Sequence, residues 1–386
     1  MIEKYLFNGL DPLLLFKAKI GVTKQLNSTG LLVAPMLSAV GYGQSEGPEL
    51  ETSLPMKMPL SEHSTAVAII GCGGTGSHLV PSLFQFIASK KLTFPEWNVP
   101  DLFLIDGDVV EEKNLVRQKF TRAEMGMNKA QALARRYSGV WNLPIFHSEE
   151  YITIGSLDQL LVGPLGRASR PKYRSLIIIG AVDNHTARAA IWDFYIRQQR
   201  ERYANFDNIF WIDAGNESNF GQVVLGGKPG TVELSDTRET VAWPKAKMGD
   251  TISPIELPCF FDLYPEDFLG LGTKKEETLG CLALTEMDPQ TIQANMMSAF
   301  CATSLCMQLF RGKITNTAMF FDTESGNTKS AFITKKTIVE NNVKMVRARE
   351  RILEFLSSLS MSAGWGAGWK NTALARGLSL DPILNK

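Results

Sequence analysis

The chain has 386 residues, 44% of them hydrophobic, enough for one large α/β domain with additions or for two modest domains. Forty basic residues balance forty acidic ones, which removes the charge excess that drives sequence-independent binding to nucleic acid or to an anionic membrane surface. Five cysteines without the regular spacing of a disulfide framework point to a reducing compartment. No apolar run approaches the ~18 residues of a membrane span, and the opening MIEKYLFNGLDPLLLF lacks the basic start of a signal peptide. The chain therefore reads as a soluble, cytoplasmic protein.

Residues 1–60 form an N-terminal extension that ends in a Gly-, Pro-, Ser- and Glu-rich linker, GYGQSEGPELETSLPMKMPLSEHS. From residue 61 to about 340, short apolar runs alternate with helical patterns. VAIIG, DLFLIDGD, LPIFHSEEYI, SLIIIGAVDN, NIFWIDAGN and FGQVVLGG are mostly too uniformly apolar for a sheet with one wet face. They predict a Rossmann-like, doubly wound, largely parallel sheet buried on both sides by helices. Residues 235–287 carry Pro244, Pro254, Pro258 and Pro265 with little periodicity and read as an irregular crossover. A helix is predicted from the cap Asp288-Pro289 to Gly312, then a hairpin turning at Glu324–Asn327. A C-terminal helix and a glycine-rich tail, expected to be mobile, occupy residues 341–386.

Gly71-Cys72-Gly73-Gly74-Thr75-Gly76 follows the first strand of this pattern as G-x-G-x-x-G. Such a turn aims backbone N–H groups and a helix N-terminus at an anionic phosphate, and by itself it fits NAD, FAD or ATP. An acid at the end of the second strand, in LFLIDGDVV, suits ribose hydroxyls in either case. The residues that follow separate the two readings. Asn114, Arg117 and Gln118 in EEKNLVRQ, Lys129 in GMNKA, and Asp183 and Asn184 in GAVDN gather cations and a carboxylate that a nicotinamide site does not need. Cleavage between α- and β-phosphates does need them, because cations stabilise developing charge and a carboxylate holds magnesium on phosphate oxygens. Surface ion pairing of Arg117 and Lys129, and helix capping by Asp183 and Asn184, are the alternatives.

The ordered set GCGGTGS, DGDVVEEKNLVRQ, GMNKA, GAVDN and FGQ, over about residues 67–227, resembles the ThiF-like superfamily of ubiquitin-activating enzymes and their bacterial relatives. The insert KKLTFPEWNVP, with LPCFFDLYPEDF and LGCLAL, is similar to the ThiF-like proteins of bacterial PRTRC gene clusters. The resemblance implies an enzyme that uses ATP and Mg2+ to adenylate the C-terminal glycine of a small ubiquitin-like or sulfur-carrier protein, with a homodimer and a conjugating enzyme as further partners. It implies nucleotide contacts from Gly71, Gly73, Gly74 and Gly76, a ribose contact from Asp106 with Asp108 as the second choice, phosphate contacts from Asn114, Arg117, Gln118 and Lys129 beside Asn184, and magnesium on Asp183. Adenylation of a short peptide C-terminus, a non-catalytic nucleotide-fold module and an NAD-dependent dehydrogenase are the competing readings.

Thioester chemistry needs an accessible thiol near the acyl-adenylate. Cys301 and Cys306 fall in an apolar helical pattern and Cys72 in the phosphate turn, which leaves Cys281, the preferred acceptor, or Cys259, unless the adenylate passes directly to another acceptor. Many relatives bind zinc through two CxxC pairs; with no CxxC and four scattered histidines, no zinc is expected. Several relatives also donate an N-terminal arginine across the dimer. This chain has none before Arg117, and Lys17, Lys19 or Lys24 would substitute only as point charges.

Overall fold

The computed structural model describes residues 56–57, 64–162, 173–199, 206–228, 256–271, 291–333 and 335–361. In chain order the elements are β1 (Met56–Lys57), β2 (Thr65–Ile70), α1 (Gly74–Thr93), β3 (Asp101–Ile105), α2 (Lys129–Trp141), β4 (Ile145–Ser148), β5 (Ser175–Gly180), α3 (His185–Gln198), β6 (Asn208–Asn216) and β7 (Phe220–Lys228). The short helices α4 (Phe260–Leu263) and α5 (Pro265–Leu269) come next. They precede α6 (Ile292–Phe310), β8 (Lys313–Ile314), β9 (Asn316–Asp322), β10 (Asn327–Phe332) and α7 (Lys335–Met361).

Among the described residues the main sheet runs β10-β9-β7-β6-β5-β2-β3-β4. Every residue of β5 is buried, as is all of β2 after Thr65. Because successive side chains point to opposite faces, each apolar run supplies two cores at once. Val67, Ile69, Leu104, Ile177 and Ile179 pack with Leu79 and Leu83 of α1, Leu133 of α2 and Leu305 of α6. On the other face Ala66, Ala68, Leu176 and Ile178 pack with Ile191 and Phe194 of α3, Phe261 of α4, Phe268 of α5 and Ile352 of α7. At about 1.5–3 kcal/mol for each fully buried large side chain, these two layers are the main source of stability.

The expectation of a doubly wound, largely parallel sheet holds, with five of the eight strands parallel. β4, β3, β2, β5 and β6 run parallel, whereas β7, β9 and β10 are antiparallel additions. FGQVVLGG, read from its apolar content as one more strand of that pattern, returns directly on β6. Residues 217–219 are too short for the crossover that a parallel neighbour requires, and the turn closes with Glu217 N–H donating to Phe220 O at 2.8 Å. The β9-β10 hairpin forms where expected, with Gly326 at φ +69°.

The cap of α6 is Thr291, whose hydroxyl accepts from Ala294 N–H at 3.1 Å; Asp288 and Pro289, the expected start, lie outside the described residues. The helix stops at Gly312, φ +67°. Helix α7 runs continuously across residue 340. It docks through Arg349, which donates twice to Asp262, at 2.8 Å each, and approaches Glu256 at 2.6 Å.

Candidate functional site

The chain leaves β2 toward β3 on one side and returns through β5 on the other, so a crevice opens beyond the C-terminal ends of β2 and β5, the switch point at which open α/β sheets bind ligands. Gly71 sits at its floor with φ +91°, and a Cβ there would lie 2.4 Å from Ala181 O. At Gly76 a Cβ would meet Gly71 O at 1.9 Å. Both positions therefore demand glycine for backbone reasons.

Gly73 differs: it is the N-cap of α1, and an added Cβ would find only Gln118 Nε2, at 3.7 Å. No side chain caps this helix, and its first turn holds no acid. Its leading N–H groups thus face the crevice without side-chain acceptors. At Gly74 the amide of Asn295, from α6, comes within 2.7 Å of a Cβ position.

The segment after β3 folds back over this turn. Lys119 N–H donates to Ser77 Oγ at 3.0 Å, fixing Arg117 and Gln118 above α1. Gln118 Oε1 is buried without a hydrogen-bond partner, as is Asn295 Nδ2. Orphaned polar atoms are costly in a closed structure; the Asn295 Nδ2 donor beside an uncapped helix start fits an anionic ligand there, whereas Gln118 Oε1 is an acceptor and calls for a donor. Asn114 is nearly fully buried, and its side-chain oxygen accepts from Glu111 N–H at 2.8 Å, so that oxygen shapes the loop. Arg117 is half-buried, and its guanidinium has no ion pair among the described residues.

Asp106 ends β3. Its carboxylate accepts from Cys72 N–H at 2.5 Å and from Asp108 N–H at 2.8 Å, tying the acid to the glycine turn. Burial raises its pKa, against the pull of those N–H groups. Asp108 accepts from Lys129 Nζ at 2.8 Å and from the Tyr151 hydroxyl at 2.6 Å. Burial alone would raise the Asp108 pKa, but these two bonds outweigh it and hold the carboxyl below its usual range. Lys129 opens α2 and is only 6% exposed. It is placed by Asn128, whose side chain donates to the carbonyls of Asp106 and Asp108 at 2.7 and 3.0 Å and caps α2 through Gln131 N–H at 3.0 Å.

Across the crevice, Asp183 is exposed at the mouth after β5. Asn184 caps α3, accepting from Ala187 N–H at 2.7 Å while its amide donates to Asp183 Oδ1 at 3.2 Å. Capping, the alternative reading for Asn184, is one of its visible contacts; the other, from its Nδ2, orients Asp183. Among the described residues no cluster of three His, Cys, Asp or Glu is placed to hold a metal. Magnesium commonly takes only one or two protein carboxylates and completes its shell with phosphate oxygens and water, so the single carboxylate of Asp183 would suffice as the protein's donor to such an ion.

The structure thus brings together Gly71, Gly73, Gly74, Gly76, Asp106, Asp108, Arg117, Gln118, Lys129, Asp183 and Asn184 at one end of the parallel strands. Cys281 lies outside the described residues. Cys259, the other acceptor candidate, is fully buried against Gly226 of β7, and burial pushes its thiol pKa up, the opposite of an activated nucleophile. Cys301 and Cys306 are core residues as expected. Sequence reading missed Asn128, Tyr151, Asn216 and Asn295. Asn128 stood inside GMNKA and carried a cap signal; the others carried none. Thr75 Oγ1 donates to Asn216 Oδ1 at 2.8 Å, and Asn216 Nδ2 donates to Asn295 Oδ1 at 3.1 Å, locking the first turn of α1 to β6 and α6.

A doubly wound α/β domain with a glycine turn opening into an uncapped helix at its switch point is the class that this geometry defines. The chain belongs to the ThiF family, whose model matches residues 61–338. It is 28% identical over 157 residues to ubiquitin-like modifier-activating enzyme 5 of Drosophila mojavensis, covering 40% of this chain and 34% of that protein. The corresponding Drosophila grimshawi protein is 29% identical over 157 residues, with the same coverage. The match thus spans about a third of the length of these curated relatives. Among solved structures, E. coli MccB with ATP aligns at 15% identity and a TM-score of 0.41, over 70% of this chain and 65% of that one. E. coli tRNA N6-threonylcarbamoyladenosine dehydratase, TcdA, in complex with ATP aligns at 18% identity and a TM-score of 0.30, over 42% and 54%.

Proposed function

We propose that this protein uses ATP and magnesium to activate the C-terminal carboxylate of a small ubiquitin-like or sulfur-carrier protein as an acyl-adenylate. The carrying observation is the convergence of an uncapped helix start, the Arg117-Gln118 loop, Lys129 on Asp108 and Asp183 around one crevice. Family membership supports the same reading.

In this scheme the N–H groups at Gly73 to Thr75 receive phosphate oxygens, and Asp106 accepts a ribose hydroxyl through lone pairs left over from its two N–H bonds. Arg117 and Lys129 lie beside the phosphates. The partner's terminal carboxylate oxygen attacks the α-phosphorus in line, the bond to the bridging oxygen breaks, and pyrophosphate leaves. Arg117 and Lys129 neutralise the charge that grows on the departing oxygens. Magnesium, when bound at Asp183, supplies further stabilisation of that charge. The fixed Asp108 beside Lys129 keeps the ammonium aimed.

A following thioester step is assigned to Cys281, where a thiolate attacks the acyl carbon and AMP leaves. The buried state of Cys259 disfavours it as the acceptor. The proposal also includes cytoplasmic location, a homodimer, and an affinity with the ThiF-like proteins of PRTRC gene clusters, resting on the resemblance given above. Among the described residues no helix is long and apolar enough to cross a membrane. A second reading, adenylation of a short peptide C-terminus, shares every residue named here, and the identity of the carboxylate substrate separates the two.

Calorimetric titration of wild type and Asp183→Ala with ATP and magnesium, and separately with NAD, tests the proposal. Magnesium-dependent ATP binding that weakens at least about tenfold in the variant supports it. Tight NAD binding without ATP binding would sink it, and binding of neither ligand would leave a non-catalytic module.

A further inference from the structure

The C-terminal ends of β2, β3 and β4 stand side by side, with Ile70 paired to Ile105 and Ile105 to Ser148. The next residues continue the register: Gly71 N–H donates to Ile105 O at 2.9 Å and Asp106 N–H to Ser148 O at 3.2 Å. Phosphate turn, ribose acid and the segment after β4 therefore form a row with steps of one strand spacing, about 4.8 Å each. A nucleotide is strung in the same order, phosphate to ribose to base. With phosphates at Gly73 and the ribose at Asp106, the base falls over the segment that follows β4.

Tyr151 is in that segment. Its hydroxyl donates to Asp108 Oδ1 at 2.6 Å. Its ring meets Gly107, where an added Cβ would lie 2.5 Å from Cγ and 2.6 Å from both Cδ atoms. Near-equal distances to those three atoms place that point above the centre of the ring, so one face of the ring covers the Gly107 backbone. Yet Tyr151 is 68% exposed. An aromatic ring pinned at its hydroxyl and backed on one face, with its remaining surface open to solvent beside the ribose acid, has the form of a stacking plate.

We propose that Tyr151 is the base-stacking residue of this site, its ring the platform for a purine and its hydroxyl the pin that sets the platform against Asp108. The proposal rests on the nucleotide-binding reading above and goes beyond it by assigning the base end of the ligand. Gly107 is then required because any side chain there would lift the ring off its support. Because Tyr151 and Lys129 hold the two oxygens of one carboxylate, the same acid spaces the base platform from the phosphate cation.

The test is calorimetry of the full chain with two probes, ATP and inorganic tripolyphosphate, each with magnesium, on wild type, Tyr151→Ala and Tyr151→Phe. The expected result is a loss of about tenfold or more in ATP affinity for Tyr151→Ala, the scale of one stacked base. Tripolyphosphate affinity should then change less than about twofold, and Tyr151→Phe should recover most of the ATP affinity. Equal losses for both probes would overturn the proposal, because Tyr151 would then act through Asp108 and Lys129 on the phosphate end. Unchanged ATP binding in Tyr151→Ala would overturn it while leaving the nucleotide reading intact. A wild type that binds neither probe would overturn both.

Discussion

The ammonium of Lys129 lies 2.8 Å from Asp108 Oδ2, a pair in which the lysine side chain is 7% exposed and the acid 49% exposed. In the proposed function this fixed cation serves the phosphates. Lys129→Met would leave Asp108 half in water and still bonded to Tyr151, so the stability change should stay below about 1–2 kcal/mol. Loss of the charge should lower ATP–pyrophosphate exchange at least about 100-fold. Exchange assays beside thermal denaturation check the separation; a Tm loss that accounts for the whole activity loss would mean that Lys129 is structural.

Two glycines of one turn should respond in opposite ways. Gly76→Ala places a Cβ 1.9 Å from Gly71 O, so the turn must shift, and a destabilisation of about 2–4 kcal/mol is expected in urea unfolding. Gly73→Ala meets only Gln118 Nε2 at 3.7 Å and should leave stability within about 0.5 kcal/mol. Its methyl group nonetheless enters the space in front of the helix start, and ATP affinity should fall by about tenfold or more. Unchanged ATP affinity in Gly73→Ala would place the phosphates elsewhere.

Burial in α1, with Lys119 nearby, pushes the His78 pKa below its ordinary value of 6.5. The folded protein therefore prefers neutral His78, and the unfolded chain takes up the proton first as pH falls. Below about 6.5 the unfolded state binds more protons, so this residue's contribution is present at pH 7 and above and declines as pH drops toward the depressed folded pKa. Wild type should lose more Tm than His78→Gln between pH 7.5 and 5, assay pH values set on about the His pKa. Parallel curves would show that His78 titrates normally.

Arg349 holds α7 to α4 through Asp262, whose side chain is fully buried. Arg349→Met should destabilise the protein by about 3–5 kcal/mol, because it strands a buried carboxylate. Arg349→Met combined with Asp262→Leu should recover much of that loss. Chemical unfolding of both variants measures this, and additive losses would contradict a buried pair.

Local chemistry in the chain carried most of the candidate site. The glycine turn, the acid ending β3, the cations after it and Asp183 were legible because each depends on a short segment whose residue types match one backbone geometry. Uniform apolar runs likewise gave the parallel strands, since burial on two faces leaves no polar alternation. The antiparallel return of β7 was not legible from apolar content; it followed from the shortness of residues 217–219. The cap of α6 at Thr291 was not singled out, because several adjacent residues could serve as its cap.

By itself the sequence determined the parallel strands and the residues that follow them, because those are matters of local propensity and period, while the short helices α4 and α5 fell inside a segment read as irregular. Only the tertiary structure decided what stands beside what. It set Tyr151 on Gly107, joined Asn216 and Asn295 to Thr75, gave Lys129 to Asp108 and sealed Cys259 behind Gly226. These relationships depend on strand order and helix docking, which sum many weak contacts over residues far apart in the chain, and no short stretch of sequence contains that sum.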